Sequence, residues 1–205
     1  MPAASPTRIP PRAVPQESKR RGERTSGERV VRTSKISRVS SDQLRAVWAE
    51  HCRCEFELRD VGATMDTMID DPHLLNVPTG RGGQGRAGVQ RFYTDEFIGT
   101  LPDDVQVQSL GLAVGLSRIA EEVVMTFTHD RVMPWILDRI EPTGRKVRIP
   151  QLAVVGFRDD KVAFEHIWWD QASVLAQVGV FDPAGLPVVG SEQAKALFDF
   201  GDRGD

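Results

Sequence analysis

PTGRKVRIPQLAVVGFRDDKVAFEHIWWDQASVLAQVG, residues Pro142 to Gly179, reads as two long strands closed by a tight turn and followed directly by a short helix. In the first strand, Arg145 to Arg158, the residues Val147, Ile149, Ala153, Val155 and Phe157 share one face, as expected where one side of an antiparallel sheet is buried. Gln151 lies on that same face, where an amide must be satisfied by neighbouring backbone or by a ligand or water in a cavity. After the turn at Arg158-Asp159-Asp160-Lys161, the set Val162, Phe164, His166, Trp168, Asp170 alternates with Ala163, Glu165, Ile167, Trp169. Both sets are largely apolar. Period-2 geometry admits Glu165 or His166 to a pocket, not both.

Working back from this block, Asp103 to Leu116 forms a strand whose apolar parity shifts near Ser109 and Leu110, the mark of a bulge that bends a sheet, and residues 119–130 form its antiparallel neighbour. Ahead of them, Ala87 to Ile98 spaces Val89, Phe92, Tyr93 and Phe97 for one helix face. Residues 80–86 read as a flexible loop and 73–79 as a short strand. A short helix with Met65, Met68 and Ile69 inward ends at Asp71-Pro72. The first helix starts at Ser41-Asp42 and carries Leu44, Val47, Trp48, Cys52 and Phe56. Helices gathered before a run of bent antiparallel strands predict an α+β fold, with three N-terminal helices on the concave face of one curled sheet.

The chain has 205 residues, 40% hydrophobic and 27% charged, enough for one domain with a substantial core. Residues 1–40 hold eight Arg and two Lys against three Glu, a net of +7, so the overall −3 leaves −10 on the remaining 165 residues. An acidic domain disfavours a nucleic-acid partner. The tail over 1–40 is rich in Arg, Pro and Ser and reads as disordered; the domain spans 41–185, and 186–205 is a C-terminal extension. No apolar run is long enough to span a membrane, and Cys52 and Cys54 are spaced as free thiols, which suits a reducing cytoplasm.

Gly80-Arg81-Gly82-Gly83-Gln84-Gly85 satisfies the dinucleotide-binding spacing, but the chain continues into an antiparallel meander rather than further βαβ units, so the glycines read as a pocket-rim loop. There is no G-x-S-x-G elbow. His51-x-x-x-Glu55 puts two possible metal ligands on one helix face, a pattern that ordinary helical charge pairs also make, and no metal is expected. His129 shares parity with Val123, Met125 and Phe127, at the wall or mouth of the interior, where an imidazole can move a proton at neutral pH or bond a backbone carbonyl. Asp170, at the step from strand to closing helix, can cap that helix and is a further carboxylate candidate. Trp135, Trp168 and Trp169 offer flat walls, or core and dimer contacts.

The layout resembles the SnoaL-like polyketide cyclases within the nuclear-transport-factor-2-like superfamily. The likeness rests on Asn76-Val77-Pro78, Phe127-Thr128-His129, Pro142-Thr143-Gly144-Arg145, Phe157-Arg158-Asp159-Asp160-Lys161-Val162 and the spacing of Asp170 before Gln177-Val178-Gly179. It implies a dimeric cone around an apolar cavity, and ring closure by a His and an Asp without a cofactor. His129 matches the cyclase histidine, whereas Gln151 falls near the aspartate and cannot exchange a proton. Limonene-epoxide hydrolase is similar at Asn76-Val77-Pro78 and Thr143-Gly144; Asn76 matches its water-holding asparagine, its charged relay has no counterpart, and its register turns Glu165 toward the cavity.

The expected enzyme thus acts by acid–base chemistry on an apolar oxygenated ring compound. His129, Glu165 and Asp170 are the catalytic candidates, and Asn76, Tyr93, Trp135, Gln151, His166 and Trp169 the substrate contacts. No cofactor is expected, and the partners are a small apolar ligand and a second copy of the chain, with neither nucleic acid nor membrane. A non-catalytic binding or accessory domain is the alternative.

Overall fold

The computed structural model of the protein describes residues 39–201. The tail expected to be disordered therefore lies, but for its last two residues, outside the described residues. Six strands form one curled, open sheet: β1 (Met68–Asn76), β2 (Arg81–Gln84), β3 (Gln106–Val114), β4 (Arg118–Thr128), β5 (Lys146–Arg158) and β6 (Lys161–Trp169). Their spatial order is β2-β1-β6-β5-β4-β3, antiparallel throughout except for the parallel pair β1 and β6. This is the α+β fold read from the sequence, and the register shift in β3 falls at the expected bulge, between Ser109 and Gly111.

Helices cover the inner face. α1 (Ser41–Cys52) starts at Ser41, with Ser40 and Gln43 closing a capping box, and it buries Leu44, Trp48 and His51. It continues as a π-helical segment, Arg53–Leu58. α2 (Val61–Asp66) is capped by Asp60, and α3 (Gly85–Arg91) runs into a second π-helical segment, Phe92–Phe97. α4 (Pro134–Leu137) and α5 (Gln171–Val178) follow. In the C-terminal extension, α6 (Glu192–Gly201) buries Ala194 and lays Phe198 under the Arg148 guanidinium of β5.

Two elements differ from the sequence reading. Met68 and Ile69 belong to β1, not to a helix: Met68 pairs with Val162 of β6, and Pro72, which has no N–H to give a ladder, sits in the irregular stretch before pairing resumes at His73. The expected loop over 80–86 contains β2, a hairpin partner of β1. Its glycines serve close packing: a Cβ at Gly82 would lie 2.0 Å from the Leu74 carbonyl oxygen, and one at Gly83 would lie 2.4 Å from the Gly88 carbonyl of α3.

Gly156 makes a similar close approach beside the register shift of β5, where a Cβ would stand 2.0 Å from the Phe164 ring. That ring is stacked on His73 and lies beneath Arg118, so it has little room to yield. Gly156→Ala is expected to cost about 1–3 kcal/mol, the usual range for overpacking, read as a lower urea midpoint at unchanged slope.

Candidate functional site

The sheet ladder sets out the inner face as a grid. One row runs Leu74, Glu165, Val155, Ile119; the next runs Asn76, Ile167, Ala153, Glu121; the third runs Trp169, Gln151, Val123. Odd-numbered residues of β5 and β6 thus face inward. Glu165 is the inward residue of β6, and His166 points to the outer face, where its Nε2 lies 3.2 Å from His73 Nε2. Period-2 geometry excludes His166 from the interior once Glu165 is there.

Over the grid lies a cavity of about 70 Å³. Its walls are mostly apolar, with Trp48, Phe56, Phe97 and Trp135 supplied by the helices, and its polar lining is Glu55, Asn76, Glu121, Gln151, Glu165 and Cys52. Trp48 reaches across from α1 to β4 and donates its Nε1–H to Glu121 at 2.6 Å, and Ser109, at the β3 bulge, donates to the other oxygen of the same carboxylate.

At one end of the cavity the lining carboxyls Glu55 and Glu165 meet His51 and Tyr93, which stand behind the wall. His51 Nε2 stands 3.2 Å from Glu55 Oε1 and 3.0 Å from Glu165 Oε1, and Tyr93 donates its hydroxyl to Glu165 Oε1 at 2.9 Å. His51 and Tyr93 are fully buried, Glu55 and Glu165 nearly so. The other ring nitrogen of His51 has a fixed role. Thr67 gives its hydroxyl proton to the Thr64 carbonyl, so its oxygen accepts from His51 Nδ1–H at 2.5 Å. Nε2 is left as the nitrogen that exchanges a proton with the carboxylates. Both π-helical segments feed this junction, the first with Glu55 and the second with Tyr93, in keeping with the frequent use of such widened turns at functional sites.

Burial opposes a charge on His51, yet the two facing carboxylates, Glu165 above all, outweigh it and raise the imidazole pKa from 6.5 to about 10. Burial raises the Glu55 carboxyl against the pull of His51, and it pushes the Tyr93 phenol well above its ordinary value. A charge on the buried imidazole is thus offset by the carboxyls that face it, the cheaper arrangement for buried groups. Among the described residues, His51, Glu55 and Glu165 are also the set whose N and O atoms could hold a metal ion, lying within 4.8 Å of one another. A cation there would have to displace the proton on His51 Nε2.

These shifts give stability a definite pH dependence. A histidine raised from 6.5 to about 10 contributes stability that is complete below pH 6.5 and is lost as pH rises through 10, and the raised Glu55 acts in the same sense. Burial lowers the pKa of His129 and His166, so their contribution holds above pH 6.5 and fades as pH falls. Urea midpoints are expected to peak near neutrality and fall toward pH 10, and the alkaline fall should flatten in His51→Gln.

Of the residues singled out in the sequence, the cavity brings together Glu165, Asn76, Trp135 and Gln151. Tyr93 stands behind it, bonded to Glu165. His129 is buried but is not among the lining residues: its Nδ1 lies 3.2 Å from Thr143 Oγ1, and its carbonyl accepts from the Thr143 and Gly144 amides. Asp170 caps α5, accepting from the Ala172 and Ser173 amides. Trp169 packs edge-on against Trp135 and donates to Gln171. His51, Glu55 and Thr67 were not among the sequence candidates for catalysis. The signal for the first two was the stripe Leu44, Trp48, His51, Glu55 on one face of the first helix.

A curled sheet, a helical cover and an acid–base cluster at the end of an apolar hollow define a cone-type α+β protein. No protein-family model matches the chain, and no curated protein matches it. Among solved structures it is similar to a SnoaL-like protein of polyketide-cyclase type from Jannaschia, with 15% identity over 68% of this chain and 94% of that one and a TM-score of 0.55. It is also similar to AclR from Streptomyces galilaeus, with 17% identity, 81% and 100% coverage and a TM-score of 0.55. A third is a protein of ketosteroid isomerase-like fold from Catenulispora acidiphila, solved with trimethylamine, with 15% identity, 65% and 92% coverage and a TM-score of 0.51. The chain shares the fold of these SnoaL-like and ketosteroid isomerase-like structures. No helix among the described residues is long and apolar enough to cross a membrane.

Proposed function

We propose that the chain is an acid–base enzyme acting on a compact, apolar, oxygenated ring compound, by proton transfer of the isomerase or cyclase type. The observation that carries this reading is the contact of one fully buried imidazole with two carboxyls that line an apolar cavity. Glu165 takes a proton from substrate carbon, and Glu55, whose carboxyl burial raises above its ordinary range, returns one to a second substrate carbon. His51 Nε2, within reach of both, then passes its proton to Glu55 and recovers one from Glu165, so the cluster resets with no net change of protons. Among the described residues no hydrogen bond engages Oε2 of either glutamate, which leaves those atoms for substrate. His51 and Tyr93 act through the carboxyls as positioning residues. His129 and Asp170, held in a turn and in a helix cap, stand outside this scheme.

The test is α-proton exchange in deuterated buffer, followed by NMR, over a panel of small ring ketones, lactones and epoxides. Catalysed exchange of at least one member, abolished by Glu165→Gln, is the expected result; no exchange with any member would overturn it. The alternative, a non-catalytic binding or accessory domain, is favoured by the size of the hollow: about 70 Å³, against roughly 300–1,000 Å³ for drug-sized ligand sites. Ligand-induced stabilisation without exchange would decide for it. A homodimer completes the proposal, with Leu75, Val77, Leu152 and Trp168 partly exposed as its apolar contacts, and sedentary monomers at micromolar concentration in ultracentrifugation would count against it.

A further inference from the structure

The cavity has a second polar end that the acid–base cluster does not use. Gln151 Nε2 and Trp135 Nε1 are buried N–H donors, on side chains 7% and 1% exposed, and neither has an acceptor among the described residues. Both side chains line the cavity. A buried donor without an acceptor is costly enough that such groups are rare and call for an explanation. Here the two side chains also share a neighbour. Gln151 stands directly across the ladder from Trp169, and Trp169 packs edge-on against Trp135 with ring centroids 5.7 Å apart, so both donors belong to one end of the hollow.

That end is removed from the reacting carboxyls. On β5 the residue facing Glu165 is Val155, four positions from Gln151, or about 13 Å along a strand at roughly 3.3 Å per residue. The reach of the two side chains shortens that span, and the hollow of about 70 Å³ lies between the two ends. The row between them, Ile167 and Ala153, offers a flat apolar floor.

We infer that Gln151 and Trp135 form an acceptor-oxygen subsite, and that the ligand of this cavity is a carbonyl compound whose C=O is gripped at the end opposite Glu55 and Glu165. Two N–H donors match the two lone pairs of one carbonyl oxygen, whereas a hydrocarbon of the same shape leaves both donors unpaired. The subsite rests on the reading of the cavity as a ligand site, but not on turnover there, because it concerns binding alone.

The experiment compares cyclohexanone with methylenecyclohexane, which replaces the carbonyl oxygen by a CH₂ group of similar shape, using the full chain and affinities from NMR titration. Wild type is expected to prefer the ketone by about tenfold or more, the factor for roughly one to two neutral hydrogen bonds. Gln151→Met and Trp135→Phe should each cut that preference severalfold, and together to below about threefold. The indole N–H resonance that disappears in Trp135→Phe should shift in wild type on adding the ketone and stay in place with the hydrocarbon. This resonance needs no variant to bind, so it keeps the inference testable if the substitutions impair folding. Equal affinities in wild type, or an unmoved indole resonance at saturating ketone, would overturn it. Glu165→Gln separates the two proposals: it should abolish proton exchange and keep the ketone preference. If that substitution removes the preference while Gln151→Met retains it, the oxygen is held at the carboxyl end and the subsite is refuted.

Discussion

Replacement of His51 by Ala is expected to destabilise the protein by about 3–5 kcal/mol, the largest effect of any single substitution in the site. The imidazolium is the positive charge that the buried carboxyls Glu55 and Glu165 face, at 3.2 and 3.0 Å. Without it the two buried carboxyls confront each other with no counter-charge, a costly arrangement. The loss should therefore be complete below pH 6.5 and shrink as pH rises toward 10, where the wild-type imidazole gives up its charge, in step with the flattened alkaline fall expected of His51→Gln. Urea unfolding at several pH values measures this directly. A second substitution, Glu165→Gln on the His51→Ala background, should recover part of the loss, because it removes one of the opposed charges. A change below 1 kcal/mol at pH 8 would mean that the carboxyls were never charged against the ring, and the acid–base assignment would fall with it.

The strands of this fold were legible because their signal is local. In β5 the alternation of Val147, Ile149, Ala153, Val155 and Phe157 requires no knowledge of the partner strand, and all five are buried as the pattern implies. The same rule placed Gln151 on the inner face. It could not choose between Glu165 and His166, because both faces of β6 are apolar; the choice is made by β1, which pairs with β6 in parallel from more than eighty positions up the chain. That long-range partner also explains Met68 and Ile69. Their spacing after Met65 suits a helix, and only the pairing of Met68 with Val162 draws them into a strand. In the first helix, Cys52 and Phe56 continue the apolar spacing from Trp48 as well as His51 and Glu55 do. What turns His51 and Glu55 inward is a charged partner, Glu165, that local periodicity cannot register. His129 had the right parity, with Val123, Met125 and Phe127 buried beside it. β4 ends at Thr128, however, and the turn that follows seats the ring against Thr143.

Glu165→Gln should separate chemistry from packing, with turnover falling by about 10²–10⁴-fold while stability stays within about 1–2 kcal/mol of wild type. The amide oxygen of Gln can still accept from Tyr93 and from His51, so both hydrogen bonds survive. The imidazolium also keeps a carboxyl partner, because Glu55 remains 3.2 Å from Nε2. What is lost is the ability to remove a proton from carbon, because an amide is no base at neutral pH. A catalytic loss without a structural one is the signature of a reacting group, whereas His51→Ala should lose both together. His129→Ala supplies the contrast: with its ring outside the cavity lining, it should leave turnover within severalfold of wild type. If instead His129→Ala abolishes turnover and Glu165→Gln leaves it intact, the reacting groups lie at the Thr143 turn rather than on the inner face of β6.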